Sequence, residues 1–295
     1  MGENGATLKI SAAHLSAAPW LAVLALLQAT PALAQDPAPA GPPAAALAPR
    51  TGDQLTIGFG LGIAPDYEGS NDYRLQPGGV MQGRVAGIDF QMRGLNLYTD
   101  FVPDQADSKV RVILGPVLQL RPERTGEDMD PRVAQLGDRQ TAFEVGVNAG
   151  ISFRGVLIPP ASLTMDLTYL RDVTGAHDSY TLTPAISLSS PLSMKSFARL
   201  ALSADYVGKG FARTYYDVGP GNALAPYATN GGGWKSASAT LLYIRDFGGD
   251  PREGLGLFTL TSYKRMLGKF ADSPVVKDAG SAHQALVVAG LLYGF

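Results

Sequence analysis

Three groups of side chains in the 295-residue sequence have types and spacing that could support chemistry. His177-Asp178-Ser179 sets an imidazole and a hydroxyl two residues apart, and in extended chain such positions share a face. A histidine that deprotonates a neighbouring serine is the pairing used in nucleophilic ester hydrolysis. No orienting asparagine or glutamate is evident beside it, and Gly175-Ala176 mark the stretch as a loop. The hydrolase reading is therefore kept below a plain loop, and His283 also reads as a loop residue. Asp66, Glu68 and Asp72 offer hard oxygen ligands of the kind that hold Ca²⁺ or Mg²⁺, such as a cation bridging lipopolysaccharide. Their spacing is not that of an EF-hand, so a solvated polar loop is the preferred reading. Arg111, Glu144, Asp166, Asp205 and Lys264 interrupt apolar runs with both signs of charge. Mixed charges at similar depth pair and fill an interior; a pore lined by them is the second reading.

The elements that must position these residues repeat with a period of two. Leu55, Ile57, Phe59, Leu61 and Ile63 alternate with Thr56, Gly58, Gly60, Gly62 and Ala64. Phe143, Val145, Val147, Ala149, Ile151 and Phe153 alternate with Glu144, Gly146, Asn148, Gly150 and Ser152. Leu163 to Tyr169, Tyr180 to Leu188 and Leu200 to Tyr206 behave alike. Pro184 interrupts one run, which is tolerable at a bulge or near a strand end. A soluble sandwich also alternates, but runs of about 9–12 residues exceed soluble strands and match a tilted bilayer crossing. Strands are expected near 54–64, 74–86, 88–93, 95–101, 110–121, 140–153, 161–171, 179–190, 197–206, 235–247, 255–265 and 284–295. The later connectors alternate long (122–139, 207–234, 266–283) and short (154–160, 191–196, 248–254), as in bacterial barrels with short periplasmic turns and longer outer loops. The segment 172–178 is the shorter exception on the long side. One face then meets lipid and the other a polar lumen. The fold class is all-β, a single antiparallel transmembrane barrel of about twelve strands. The weak patterning of the third and fourth strands keeps ten as the alternative count.

Composition agrees. The chain has 35 glycines, 23 Phe and Tyr residues together and only 17% charged residues. A net charge of −2 gives no electrostatic case for nucleic acid. With no cysteine there is no disulfide framework, thiolate metal site or cysteine nucleophile. No cofactor is implied. Lys9 and His14 precede the apolar run Trp20–Leu27, and Ala32-Leu33-Ala34 gives an A-x-A cleavage site, so residues 1–34 read as a signal peptide. Residues 35–50 read as a Pro/Ala-rich periplasmic leader, and 51–295 as the barrel. Past Ala34 no apolar stretch reaches the ~18–20 residues of a spanning helix, and lipid admits otherwise only a closed barrel. Tyr169, Tyr206, Tyr243 and Tyr263 read as interfacial anchors.

The segment from Gly58 through Pro65-Asp66-Tyr67-Glu68-Gly69-Ser70-Asn71-Asp72-Tyr73-Arg74 resembles the opening of the MipA/OmpV family. Gly115-Pro116, Lys264-Arg265-Met266-Leu267-Gly268, Ala271-Asp272-Ser273-Pro274-Val275-Val276 and the closing Tyr293-Gly294-Phe295 are similar to the family as well. Tyr215-Tyr216-Asp217-Val218 departs from the usual Tyr-Phe-Gly-Val-like stretch. Val287, Ala289, Leu291, Tyr293 and Phe295 share one face, an ending that resembles the signal read by the barrel-assembly machinery. The resemblance implies a non-enzymatic protein of the outer membrane of a Gram-negative bacterium, in contact with the bilayer and lipopolysaccharide. It implies a scaffold joining a lytic transglycosylase with a penicillin-binding protein, or alternatively a surface antigen or adhesin. The His177/Ser179 spacing also resembles the dyad of outer-membrane phospholipases and lipid A deacylases, although the flanking residues do not match.

Overall fold

A computed structural model describes residues 52–103, 108–124, 130–156, 160–248 and 254–295. The expected signal peptide and leader lie outside the described residues. Twelve strands are present: β1 (Gln54–Pro65), β2 (Tyr73–Val85), β3 (Ile88–Arg93), β4 (Asn96–Asp100), β5 (Val110–Arg121), β6 (Ala142–Arg154), β7 (Ser162–Asp172), β8 (Tyr180–Ser193), β9 (Ser196–Val207), β10 (Gly233–Asp246), β11 (Gly254–Met266) and β12 (His283–Gly294). Each pairs antiparallel with its neighbours, and β1 pairs with β12 to close the barrel. The count is twelve, and β3 and β4 are the short pair at 6 and 5 residues.

Alternation builds the wall. Ile57, Phe59, Leu61 and Ile63 point outward and are exposed, while Gly58, Gly60, Gly62 and Ala64 between them are buried. Val287, Leu291 and Tyr293 continue the outer apolar surface on β12. An exterior of this kind is stable only against hydrocarbon. At the β1–β12 seam Gly60 faces Gly290. A Cβ on Gly290 would stand 2.3 Å from the Phe59 carbonyl oxygen and 2.5 Å from the Gly60 Cα, so the two backbones meet closely. The lumen is not polar throughout, as the alternation had suggested. Phe258, Val288 and Leu292 pack inside against Val80, Ile244, Leu260 and Leu286. The inward glycines of β1 make room for them: a Cβ on Gly58 would meet Phe258, Val80 and Leu292 at 2.7–3.1 Å.

Pro184 lies in mid-strand, neither at a bulge nor near an end. It pairs with Leu167 of β7, while the β8–β9 ladder omits Thr183 and Pro184 and resumes at Ala185. Proline has no N–H to donate, so a wall position whose donor side is left open is where it fits.

The two ends differ. The start of β1, the end of β12 and the turns 86–87 and 194–195 share one rim; the other carries 66–72, 122–124, 130–141, 173–179, 208–232 and 267–282. By the rule for bacterial barrels the latter is the outer rim. Its segments include four short helices: α1 (Pro131–Ala134), α2 (Lys209–Tyr216), α3 (Gly268–Ala271) and α4 (Pro274–Lys277). They fold over the mouth. Phe211, Ala212, Tyr215 and Tyr216 of α2 are buried with Val207, Met266, Phe270 and Val276. Above them Tyr67, Val133, Val218, Leu224, Val275 and Ala279 form a second apolar cluster.

Candidate functional site

The chemistry-bearing side chains converge beneath this cap. The segment 66–72 turns back toward the barrel, with Gly69 in the left-handed region at φ 104°. The Gly69 N–H donates to Gln284 Oε1 at 3.0 Å, and the Ser281 N–H donates to the Gly69 carbonyl at 2.8 Å. Glu68 is thereby carried into the mouth. Its carboxylate accepts from Lys235 Nζ at 2.6 and 2.8 Å, from Lys264 Nζ at 2.7 Å and from the Tyr216 hydroxyl at 3.1 Å. Burial alone would raise the Glu68 carboxyl. The opposing charges of Lys235 and Lys264, with their hydrogen bonds, outweigh burial and hold it well below the ordinary carboxylate range. Burial, and then the Glu68 charge, push the Tyr216 phenol well above its usual value.

Lys235 reaches Glu68 because β10 is irregular. Trp234 pairs with Tyr206 and Ser236 with Asp205, leaving Lys235 as the extra residue of a β-bulge. A bulge re-aims side chains, and here Lys235 and Ser236 both point inward and are buried. Ser236 Oγ donates to Asp205 at 3.0 Å, and Lys235 lies 3.6 Å from the same carboxylate.

A second cluster adjoins the first. Arg121 pairs with Glu144 at 3.0 Å, and Glu144 Oε1 meets His177 Nε2 at 2.9 Å. The segment 173–179 is wound around Asp172, which accepts from the N–H groups of His177 and Asp178 at 2.7 and 3.0 Å. Phe211 joins the two clusters. Its ring lies 5.1 Å from the Arg121 guanidinium and 5.2 Å from Lys235 Nζ, distances at which a cation is attracted to an aromatic face. His177 stands edge-on to the same ring at 5.1 Å.

The sequence candidates are thus partly gathered and partly dispersed. His177 acquires the orienting glutamate that is not evident beside it in the sequence, Glu144, but no hydrogen bond links it to Ser179 among the described residues, and both are buried. Glu68 faces the lysines, whereas Asp66 lies 3.8 Å from Arg74, and the Asp72 backbone N–H bonds Ser70 Oγ. Among the described residues no group of three or more acidic or histidine side chains is arranged to hold a metal ion. His283 Nδ1 meets the Tyr263 hydroxyl at 2.5 Å on the exterior. Of the mixed interior charges, Glu144, Asp205 and Lys264 belong to the mouth. Arg111 bridges Asp89 and Asp100 at 2.6 and 2.7 Å toward the inner rim. Asp166 sits at mid-height, near Arg93 and Arg199. Sequence reasoning missed Lys235, Arg121 and Phe211. The apolar positions 211, 212, 215 and 216 were a helical signal for α2, while nothing local marks the bulge.

The family model described as MltA-interacting protein MipA matches residues 57–295. The chain belongs to that family. The match runs from β1 to the final residue and so takes in every strand and the mouth network. With a closed barrel and an apolar outer band, it makes this an outer-membrane β-barrel protein of a Gram-negative bacterium. No curated protein matches the sequence significantly. Among solved structures the chain is similar to the outer-membrane expressed OmpT of Vibrio cholerae, at 9% identity over 83% of this chain and 97% of that one, TM-score 0.35. It is also similar to the Ralstonia pickettii toluene transporter TbuX, at 11% identity over 86% and 93%, TM-score 0.31. Likenesses of this size carry no argument about function.

Proposed function

We propose that the protein is a non-conducting outer-membrane scaffold that holds murein-processing enzymes at the inner face of the membrane. The observation that carries this reading is the filled outer mouth among the described residues. Phe211, Tyr216, Phe270 and the Glu68–Lys235 pair fill it with fully or nearly fully buried side chains. A solute pore has use for a wet, open path, whereas an anchor has use for a rigid, closed one. The family description names MltA, a lytic transglycosylase, as the partner of the protein after which it is called. A partner of that kind fits the short turns of the inner rim and the periplasmic leader expected at 35–50. A penicillin-binding protein is the second expected partner.

The test is crosslinking and mass spectrometry on the protein captured from mildly solubilised outer membranes, with planar-bilayer recordings on the same preparation. A lytic transglycosylase crosslinked to the inner-rim turns, with silent bilayers, is the expected result. Steady conductance with no murein enzyme recovered would replace the scaffold with a channel.

A further inference from the structure

The wall is incomplete on one side. β3 first pairs with β2 at Val80–Arg93, so among the described residues Tyr73–Gly79 has no partner strand on its β3 side. Among the described residues no other backbone hydrogen bond reaches that side. Asn96, at the tip of the β3–β4 hairpin, pairs with Gln119, and β5 continues above it only by Leu120 and Arg121. Three strand spacings of about 4.8 Å separate β2 from β5, so the outer half of the wall has a window roughly 14 Å across between strand axes.

Hydrocarbon does not tolerate an open sheet edge, because its backbone groups find no partners. This edge is partly blunted. Val85 and Ile88 flank a two-residue turn, with Ala86 and Gly87 at positive φ, and such flanking residues exchange hydrogen bonds. Counting in twos along β2 puts the N–H groups of Gly79 and Leu75, and the absent one of Pro77, on the open side. A proline at this point disfavours an added strand from another chain. Around the window the surface is apolar: Leu75, Leu95 and Leu120 are about half exposed or more.

The sill of the window is cationic. Arg93, at the hairpin tip, lies 4.4 Å over the Tyr98 ring and donates to Gln91 Oε1 at 3.0 Å. Arg199, on the far wall, donates to the same oxygen at 3.5 Å and to Ser187 Oγ at 3.1 Å, and its buried Nε has no hydrogen-bond partner among the described residues. Asp166 is the acidic group nearby, and no ion pair within 4 Å joins it to either arginine among the described residues.

We propose that this window admits a phosphorylated lipid of the outer leaflet, whose phosphate passes through it to bind Arg93 and Arg199 while its acyl chains stay outside, against the leucine-lined rim. Among the described residues the mouth above is filled by buried side chains, which favours the side of the barrel as the approach to this site from the outer leaflet. Guanidinium groups are the preferred protein partners of phosphate, and acyl chains suit the leucine-lined rim.

The full chain, reconstituted in nanodiscs containing lipid A, tests the proposal with a photo-crosslinking p-benzoylphenylalanine residue at Gln119, which faces the lumen beside the sill. A second position, Ser262, faces the lumen on β11. Folded barrel is verified by heat-modifiable migration. The expected result is a lipid A adduct at position 119 at least roughly tenfold above that at 262. It is lost in the Arg93→Ala/Arg199→Ala variant and restored in Arg93→Lys/Arg199→Lys. No adduct at 119, equal adducts at both positions, or an adduct insensitive to arginine removal would overturn it. So would crosslinks from 119 to a second copy, which would make the edge a protein interface.

Discussion

Replacing Glu68 by glutamine keeps the side-chain shape and removes the charge that Lys235 and Lys264 share. The Lys235 side chain is 3% exposed, so stripping its partner leaves a buried cation short of compensation. Breaking such a pair costs about 3–5 kcal/mol. Asp205, at 3.6 Å, retains part of the compensation for Lys235 and argues for the lower end. Lys264 is 32% exposed and adds under about 1 kcal/mol after solvent screening. A loss of about 3 kcal/mol falls on the cap and not on the strands, whose ladders are untouched. At 1.4 kcal/mol per decade the open cap becomes roughly a hundredfold more populated. Hydrogen exchange followed by mass spectrometry in nanodiscs reads this directly. Protection at Gly69 and through α2 is expected to fall about a hundredfold while β1, β6 and β12 stay protected. Unchanged exchange in 66–72, or a uniform loss across the barrel, would refute the reasoning.

Acid is expected to act on the same pair. The folded-state pKa of Glu68 is depressed, so its contribution is fully present above the unfolded value of about 4.3 and is lost as pH falls through the folded value. Cap protection, taken relative to the intrinsic exchange rate at each pH, is therefore expected to be flat from pH 8 to 5 and to fall below pH 4, a dependence absent in Glu68→Gln. Phe211→Ala removes the ring between Arg121 and Lys235 and is expected to cost about 3–5 kcal/mol of cap stability, seen as proteolytic cutting within 208–232 of an otherwise folded barrel. Gly290→Val puts a branched side chain where the Phe59 carbonyl stands. It is expected to block seam closure, leaving no heat-modifiable band, whereas a valine at Gly137, which has open space around it but a φ of 75°, is expected to cost only local strain.

The wall was legible because its cause is local. Strand faces alternate residue by residue, so Ile57 to Ile63 or Phe143 to Phe153 declare their faces without reference to the rest of the chain. The strand boundaries expected from sequence fall within one or two residues of most of those observed, the β8 terminus being the main exception. The mouth was not legible, because its causes are not local. Whether Glu68 meets solvent or two lysines depends on the path of 66–72 relative to strands nearly two hundred residues away. Lys235 was invisible for another reason: a single bulged residue breaks the phase by which inward and outward are counted. Pro184 shows the converse. Its fitness in mid-strand depends on the hydrogen bonds β9 does not offer there, which no reading of β8 alone provides.

The contact of Glu68 with Lys264 spans 196 residues, and that with Lys235 spans 167. Both strands that bracket the seam, β1 and β12, sit at opposite ends of the ladder sequence. Hairpins can zip in any order as the chain is delivered, but these contacts have nothing to hold until the first strand finds the last. Cap formation is therefore a late step governed by long-range loop closure, and slow for that reason. A half-built sheet carries two lysines without their Glu68 partner and a loose acidic segment, so a completed molecule is distinguishable from an unfinished one by the charge displayed at its rim.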